Sequence, residues 1–215
     1  MSIAFSSVKS ITIPQGSVKK ITRSDGTVLW TLPTTESYTL PTSYLGTTSG
    51  MTSKGYSSDD GTSSFTAPNS FVGTYNGNTF STVYVSGNMW IGLGSSSEHI
   101  LFNRRDGYIS NYYYQVFDTG NTSVGKCLKI RWEGWPYYSS SYRTDAYKMA
   151  WEIFIFANGD IFIYLASKGS SASSYWNGTF KVGSTSYTIT NAGEKRAFYL
   201  SSGTTYTVKS EQYNV

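Results

Sequence analysis

Apolar and polar residues alternate most regularly across residues 147–168. A period of two sets Trp151, Ile153 and Ile155 on one face of a strand and Glu152, Phe154 and Phe156 on the other. The return run repeats the pattern, with Ile161, Ile163 and Leu165 opposed to Phe162 and Tyr164. Between the runs stands Asn158-Gly159, whose tolerance of positive φ predicts a tight two-residue hairpin turn. Both faces are apolar, so the hairpin belongs at the centre of a sheet covered on both sides, by a packed layer or a partner subunit.

The neighbouring run is divided more sharply. Leu128, Ile130 and Trp132 face one way while Lys129, Arg131 and Glu133 face the other, which predicts a wet face or one against a polar partner. Further short strands are expected at 70–75, 79–86, 89–93, 99–102, 112–117, 178–182, 186–190, 196–200 and 204–209. Turns such as Asn76-Gly77, Ser86-Gly87-Asn88 and Arg105-Asp106-Gly107 separate them, and no window holds helical periodicity beyond two turns. Such a chain is all-β, an antiparallel β-sandwich or jelly roll occupying residues 65–215.

Upstream, residues 8–30 predict a three-stranded β-meander, with turns at Pro14-Gln15-Gly16 and Ser24-Asp25-Gly26 and a bulge near Lys19-Lys20. A unit this small buries too little apolar surface to stand alone, so residues 1–35 read as an arm that docks elsewhere. Residues 36–64, rich in Ser and Thr and poor in aliphatics, read as a linker and irregular segment running over the surface.

The arm carries a resemblance. Ile11-x-Ile-Pro-x-Gly-x-Val18-Lys-x-Ile21 followed by Asp25-Gly26-x-Val28-Leu29-Trp30 is similar to a short N-terminal module of tailed-bacteriophage virion structural proteins, where it precedes a variable β-rich domain. The resemblance implies an assembly arm in which Lys9, Lys19, Lys20, Arg23 and Trp30 meet other virion proteins. Residues 79–166, with Gly-Asn-Met-Trp-Ile-Gly-Leu-Gly at 87–94 and Arg-Trp-Glu-Gly-Trp at 131–135, also resemble nidogen-type extracellular β-domains, which implies an adhesive or structural role.

Composition narrows the chemistry. Charged residues are 14% of the chain, against roughly a quarter in ordinary domains, and 19 Tyr, 11 Phe and 6 Trp supply the character instead. The one cysteine, Cys127, excludes an intrachain disulfide framework. No apolar run reaches the roughly 18 residues of a membrane span, and the N-terminus has no apolar signal core, so folding in a reducing cytoplasm is expected, which the virion resemblance implies is that of the bacterial host, with the virion as the final location. Of the net charge of +4, residues 1–35 hold +3, from four cations against Asp25. So few cations suit an acidic protein surface better than nucleic acid.

Candidate catalytic groups are sparse. His99 is the sole histidine, without a nucleophile motif, and reads as a strand-edge residue. Asp118-Thr119-Gly120 copies the aspartic-protease triplet, but no second copy exists and a strand-end turn fits it. Glu133 and Glu152, beside Trp132, Trp135 and Trp151, form the pair that glycoside hydrolysis would need, although glutamates on a solvent face are commoner. Asp59-Asp60-Gly61 lacks further ligands at fixed spacing, so no metal and no cofactor are expected. Aromatics in or beside loops offer better binding groups: Trp135, Tyr137, Tyr138, Tyr113 and Trp176 present flat faces that stack on sugars, or that close an oligomer interface.

The expected protein is a non-enzymatic virion component, namely a head fibre, capsid decoration or tail appendage. It is expected to be homo-oligomeric, with an adhesive role in host attachment through a surface glycan. The alternatives are a carbohydrate-binding module or carbohydrate-cleaving enzyme, and a bacterial surface adhesin.

Overall fold

The structure, a computed structural model, describes residues 20–22, 25, 28–31, 40–102, 106–122, 124–202 and 205–208. Met1–Glu36 and Ser37–Val215 are separate compact units. In the first, β1 (Lys20–Thr22) pairs antiparallel with β2 (Val28–Thr31), with a register shift between Ile21 and Thr22. The expected strand at 8–13, and Lys9, Lys19 and Arg23 with it, lie outside the described residues; Lys20 and Trp30 fall within the two strands.

The second unit is an antiparallel β-sandwich. Its smaller sheet uses β4 (Thr62–Thr66), β7 (Thr82–Ser86), β8 (Trp90–Leu93), β9 (Ile100–Leu101), β14 (Thr179–Val182) and β15 (Thr185–Thr188). Its larger, seven-stranded sheet runs in the order β17 (Thr205–Val208), β16 (Lys195–Ser202), β13 (Ile161–Lys168), β12 (Met149–Phe156), β11 (Cys127–Trp135), β10 (Tyr108–Phe117) and β3 (Thr52–Ser53). A separate hairpin, β5 (Gly73–Tyr75) with β6 (Asn78–Phe80), takes what the alternation read as the first part of a strand over 79–86. Its Asn76 (φ 48°) and Gly77 (φ 76°) both take positive φ, as a two-residue primed turn requires.

The hairpin of β12 and β13 lies at the centre of the larger sheet. Its Trp151, Ile153, Ile155, Ile161, Ile163 and Leu165 join Leu128, Ile130 and Trp132 in the core between the sheets, opposite Phe65, Val83, Val85, Ile91, Leu93, Phe180 and Val182. Trp132 Nε1 donates across the sandwich to the Ser86 carbonyl (3.1 Å), so even the polar atom of this core indole is satisfied. The turn differs from the sequence expectation. Asp160 O accepts from Phe156 N–H and Phe156 O from Gly159 N–H, and of Asn158-Gly159 only Gly159 has positive φ (97°). That is a three-residue loop with a glycine bulge, and Asn158 Oδ1 instead accepts from the Asp160 N–H (3.0 Å).

The other face of the larger sheet is covered from within the chain. Residues 40–50, expected as surface linker, lie on it: Leu40 is fully buried with Val124, Cys127, Phe154, Phe156 and Phe162, and Tyr44 stacks on Phe117 at 3.9 Å. Beneath this cover the Lys129 face is not wet, because Lys129 and Glu152 have no exposed side-chain surface. Lys129 Nζ donates to the carbonyls of Tyr44 and Thr47 and pairs with Glu152 Oε1 (3.0 Å), which uses all three ammonium hydrogens. Arg131 Nη1 reaches the same oxygen (2.8 Å), and the Gly46 N–H donates to Glu152 Oε2 (2.8 Å). The polar partner that the strand pattern allowed for is therefore the backbone of residues 44–47 of the same chain.

Candidate functional site

Two loops at one end of the larger sheet carry a cluster of tyrosines. The first, residues 136–148, leaves β11 and turns through a short 3-10 segment at Ser140–Tyr142; the second, 169–178, follows β13 and turns at Ala172–Ser174. Backbone bonds tie them, with the N–H of Gly169 donating to Lys148 O and that of Ser171 to Ala146 O. The first loop is also pinned by side chains. Trp135 Nε1 donates to Thr144 O (2.9 Å), and Arg143 donates through Nε and Nη2 to Tyr138 O while its guanidinium lies 3.5 Å above the Tyr108 ring. Ser57 in turn holds the Tyr108 hydroxyl at 2.8 Å.

On this frame Tyr137 stacks parallel to Tyr175, with centroids 4.6 Å apart and planes at 8°. Tyr142 meets both rings nearly edge-on, Tyr147 stands perpendicular to Tyr142, and Tyr138 leans on Tyr137 at 4.8 Å. Tyr138 is 38% exposed and the other four are half-buried, so the cluster presents ring faces and hydroxyl tips together. The hydrogen bond with Tyr142 pushes the Tyr175 phenol up to about 12, and that with Tyr138 raises Tyr137, so the hydroxyls form a linked network.

A group of carboxylates stands close by. Asp59, Asp60 and Asp106 bring ligand oxygens within 4.8 Å of one another, and the charge of Asp106 is felt at Tyr137. Burial, then the charges of Asp60 and Asp106, raise the Asp59 carboxyl, with Arg143 opposing. Asp106 was not joined to Asp59-Asp60 in the sequence because its turn precedes a different strand, in the other sheet's edge region.

The structure sorts the residues expected to bind. Trp135, Tyr137 and Tyr138 fall in or beside the cluster. Trp176 does not: it is 2% exposed and packs edge-on against Trp151 in the core at 4.9 Å, while its neighbour Tyr175 turns outward. The expectation for Trp176 is corrected, since the single-turn 3-10 segment before it swaps which aromatic faces inward. Tyr113 is half-buried in mid-strand opposite Arg131, away from these rings. Tyr142, Tyr147 and Arg143 were missed, as irregular loops show no period to mark them, and Tyr108 opens β10 ahead of the strand expected at 112–117.

The other candidates have local duties. The Asp118 carboxylate accepts from Gly120 N–H (2.9 Å) and Thr119 Oγ1 donates to Gly125 O (2.6 Å), so this triplet closes a turn. Burial pushes the Cys127 thiol well up, which removes thiolate chemistry at neutral pH. Glu133 meets Arg131 Nε at 2.7 Å on the flank of the buried cluster. No family model, curated protein or solved structure matches the chain.

Proposed function

We propose that this chain is a non-enzymatic, adhesive component of a tailed-phage particle, whose sandwich contacts a glycan through Tyr137, Tyr138, Tyr142 and Tyr175. The stacked tyrosine cluster carries the adhesive part of this reading. Its rings are preorganised by each other and by Arg143, so a sugar finds a fixed apolar platform edged with hydroxyls. The virion part rests on the sequence pattern of residues 8–30, which supplies an arm for other virion proteins; self-association of the displayed domain belongs to the same reading.

The burial of Glu152 supports adhesion over hydrolysis. A glycosidase needs two carboxyls that reach one substrate, and Glu152 lies beneath residues 44–47 with its oxygens taken by Lys129, Arg131 and Gly46. Glu133 is thereby left without Glu152 as a catalytic partner, and pairs with Arg131 instead.

A glycan array probed with the chain and with Tyr138→Ala tests the adhesive reading. Binding to a defined glycan that falls at least tenfold in the variant, without release of reducing ends, is the expected result. Binding unchanged by Tyr138→Ala and Tyr137→Ala would reject the cluster, and reducing-end release lost in Glu133→Gln would reject the non-enzyme reading. Mass spectrometry of purified particles tests the virion part: the chain is expected at stoichiometric copy number and lost when residues 1–35 are deleted.

A further inference from the structure

A second concavity lies between the turn of the β5–β6 hairpin and the loop that joins β8 to β9. It encloses about 320 Å³ and shares no residue with the tyrosine cluster. Tyr75, Phe80, Leu93 and His99 form its apolar part, and Asn76, Asn78, Thr79 and Ser95 its polar part. Among the described residues, no Asp, Glu, Lys or Arg lines it.

His99 gives the cavity a defined polar group. Its Nδ1 accepts a hydrogen bond from Leu93 N–H (2.9 Å), so the hydrogen of the neutral ring sits on Nε2. Three further contacts fix the ring and its backbone. Tyr75 stacks on the imidazole at 4.5 Å, the Tyr75 hydroxyl donates to His99 O (3.3 Å), and Gly183 N–H donates to the same carbonyl (3.0 Å). Among the described residues Leu93 N–H is the one hydrogen-bond partner of the ring, so Nε2–H, on the opposite edge of a residue that lines the cavity, remains available as a donor. Burial pushes the imidazole below its ordinary value, which keeps the ring neutral near pH 7.

We infer that this cavity binds one ring of an uncharged sugar, with a ligand hydroxyl accepting from His99 Nε2–H. The volume stands at the lower end for small-molecule sites, enough for one saccharide ring rather than a chain. A pyranose has an apolar C–H face and a polar perimeter, and the wall divides the same way, with Tyr75, Phe80 and Leu93 against two carboxamides and two hydroxyls. A purely apolar ligand would leave Nε2–H and the buried Asn76 Oδ1 without partners, and an acidic or basic sugar would meet no counter-charge among the described residues of the wall. Both walls are held at their bases, by the Asn76-Gly77 turn on one side and by Gly94 N–H to Thr82 O (2.8 Å) on the other.

Because the chain has one histidine, its imidazole signals in a heteronuclear NMR spectrum report on this cavity alone. The full chain is titrated with methyl glycosides of glucose, galactose, mannose and N-acetylglucosamine, with glucuronate as the charged control. At least one neutral glycoside should shift the imidazole signals saturably, with a Kd of roughly 1–10 mM, and glucuronate should not. Ser95→Trp, at an exposed position, fills the mouth and should abolish the shift; Asn78→Ala should weaken it about tenfold. Tyr138→Ala should leave it unchanged, which separates this cavity from the tyrosine cluster. Stationary imidazole signals with all four neutral glycosides, an equal shift with glucuronate, or a shift that survives Ser95→Trp would each overturn the inference.

Discussion

Glu152→Gln tests the reading of the covered face most directly. The carboxylate is met by three donors: Lys129 Nζ (3.0 Å) and Arg131 Nη1 (2.8 Å) at Oε1, and Gly46 N–H (2.8 Å) at Oε2. An amide cannot serve all three, because its NH₂ group must point at either the two cations or the Gly46 amide. The best placement keeps the oxygen toward the cations, yet removes the negative charge that both were paired with. Two charge-assisted hydrogen bonds at about 1.5–3 kcal/mol each set the loss near 3–6 kcal/mol. The cost of breaking a buried ion pair from one side, about 3–5 kcal/mol, agrees. Against a total stability of roughly 5–15 kcal/mol, such a change lowers the urea midpoint visibly while leaving the slope unaltered.

Two further measurements locate the effect. Amide exchange at Gly46 should speed up in Glu152→Gln, since its acceptor has become a donor or has lost charge. Lys129→Met leaves the carbonyls of Tyr44 and Thr47 without their donor, and the double variant should cost less than the two single changes together, because both break one pair. The loss should also vary little with ionic strength, as the pair has no exposed surface. A change within about 0.5 kcal/mol, typical of surface positions, would mean that residues 44–47 do not cover this face in solution.

Other outcomes follow from the same packing. Ile155→Ala or Ile163→Ala, at fully buried positions on the inner face of the central hairpin, should cost about 2–5 kcal/mol by chemical denaturation. Cys127 should resist thiol reagents in the native protein and react on unfolding. The folded His99 sits below its ordinary 6.5, so the unfolded chain takes up the proton first as pH falls. Its stabilising contribution is present above pH 6.5 and lost as pH drops through the folded value, and His99→Gln should flatten that part of the stability–pH curve. In an alkaline ultraviolet titration, Tyr175→Phe should remove a phenol that ionises near pH 12.

The sheet was legible where side chains alone decide it. Strict alternation on both faces of residues 149–156 and 161–165 is enough to place a central, doubly covered hairpin, and the structure has one there. The identity of the cover was not legible. Residues 40–50 offer few aliphatic anchors, and much of their hold on the sheet comes from two main-chain carbonyls and one main-chain amide. Backbone groups are present at every position and leave no mark on a hydrophobic pattern. The same omission made Lys129 and Glu152 look wet, since a charge that faces buried carbonyls reads in sequence like a charge that faces water. Strands β3 and β4 were hidden for a related reason: β4 buries Phe65 and little else, and β3 buries neither of its residues.

The placement of the candidate sites follows from this use of surface. The larger sheet has the core on one face and residues 40–50 on the other, so the side chains of its middle strands are largely buried. Presentation passes to the loops: 136–148 and 169–178 for the tyrosines, and the turns at 76–77 and 94–99 for the His99 cavity. Loop aromatics obey no period, and the swap between Tyr175 and Trp176 shows how one 3-10 turn reverses what adjacent residues face. Composition nevertheless held part of the answer. A chain with 14% charged residues and 19 tyrosines must make its specific contacts largely with rings, hydroxyls and amides, the groups that line both sites. Those groups match neutral hydroxylated ligands better than phosphates or nucleic acids, whose recognition rests on positive charge.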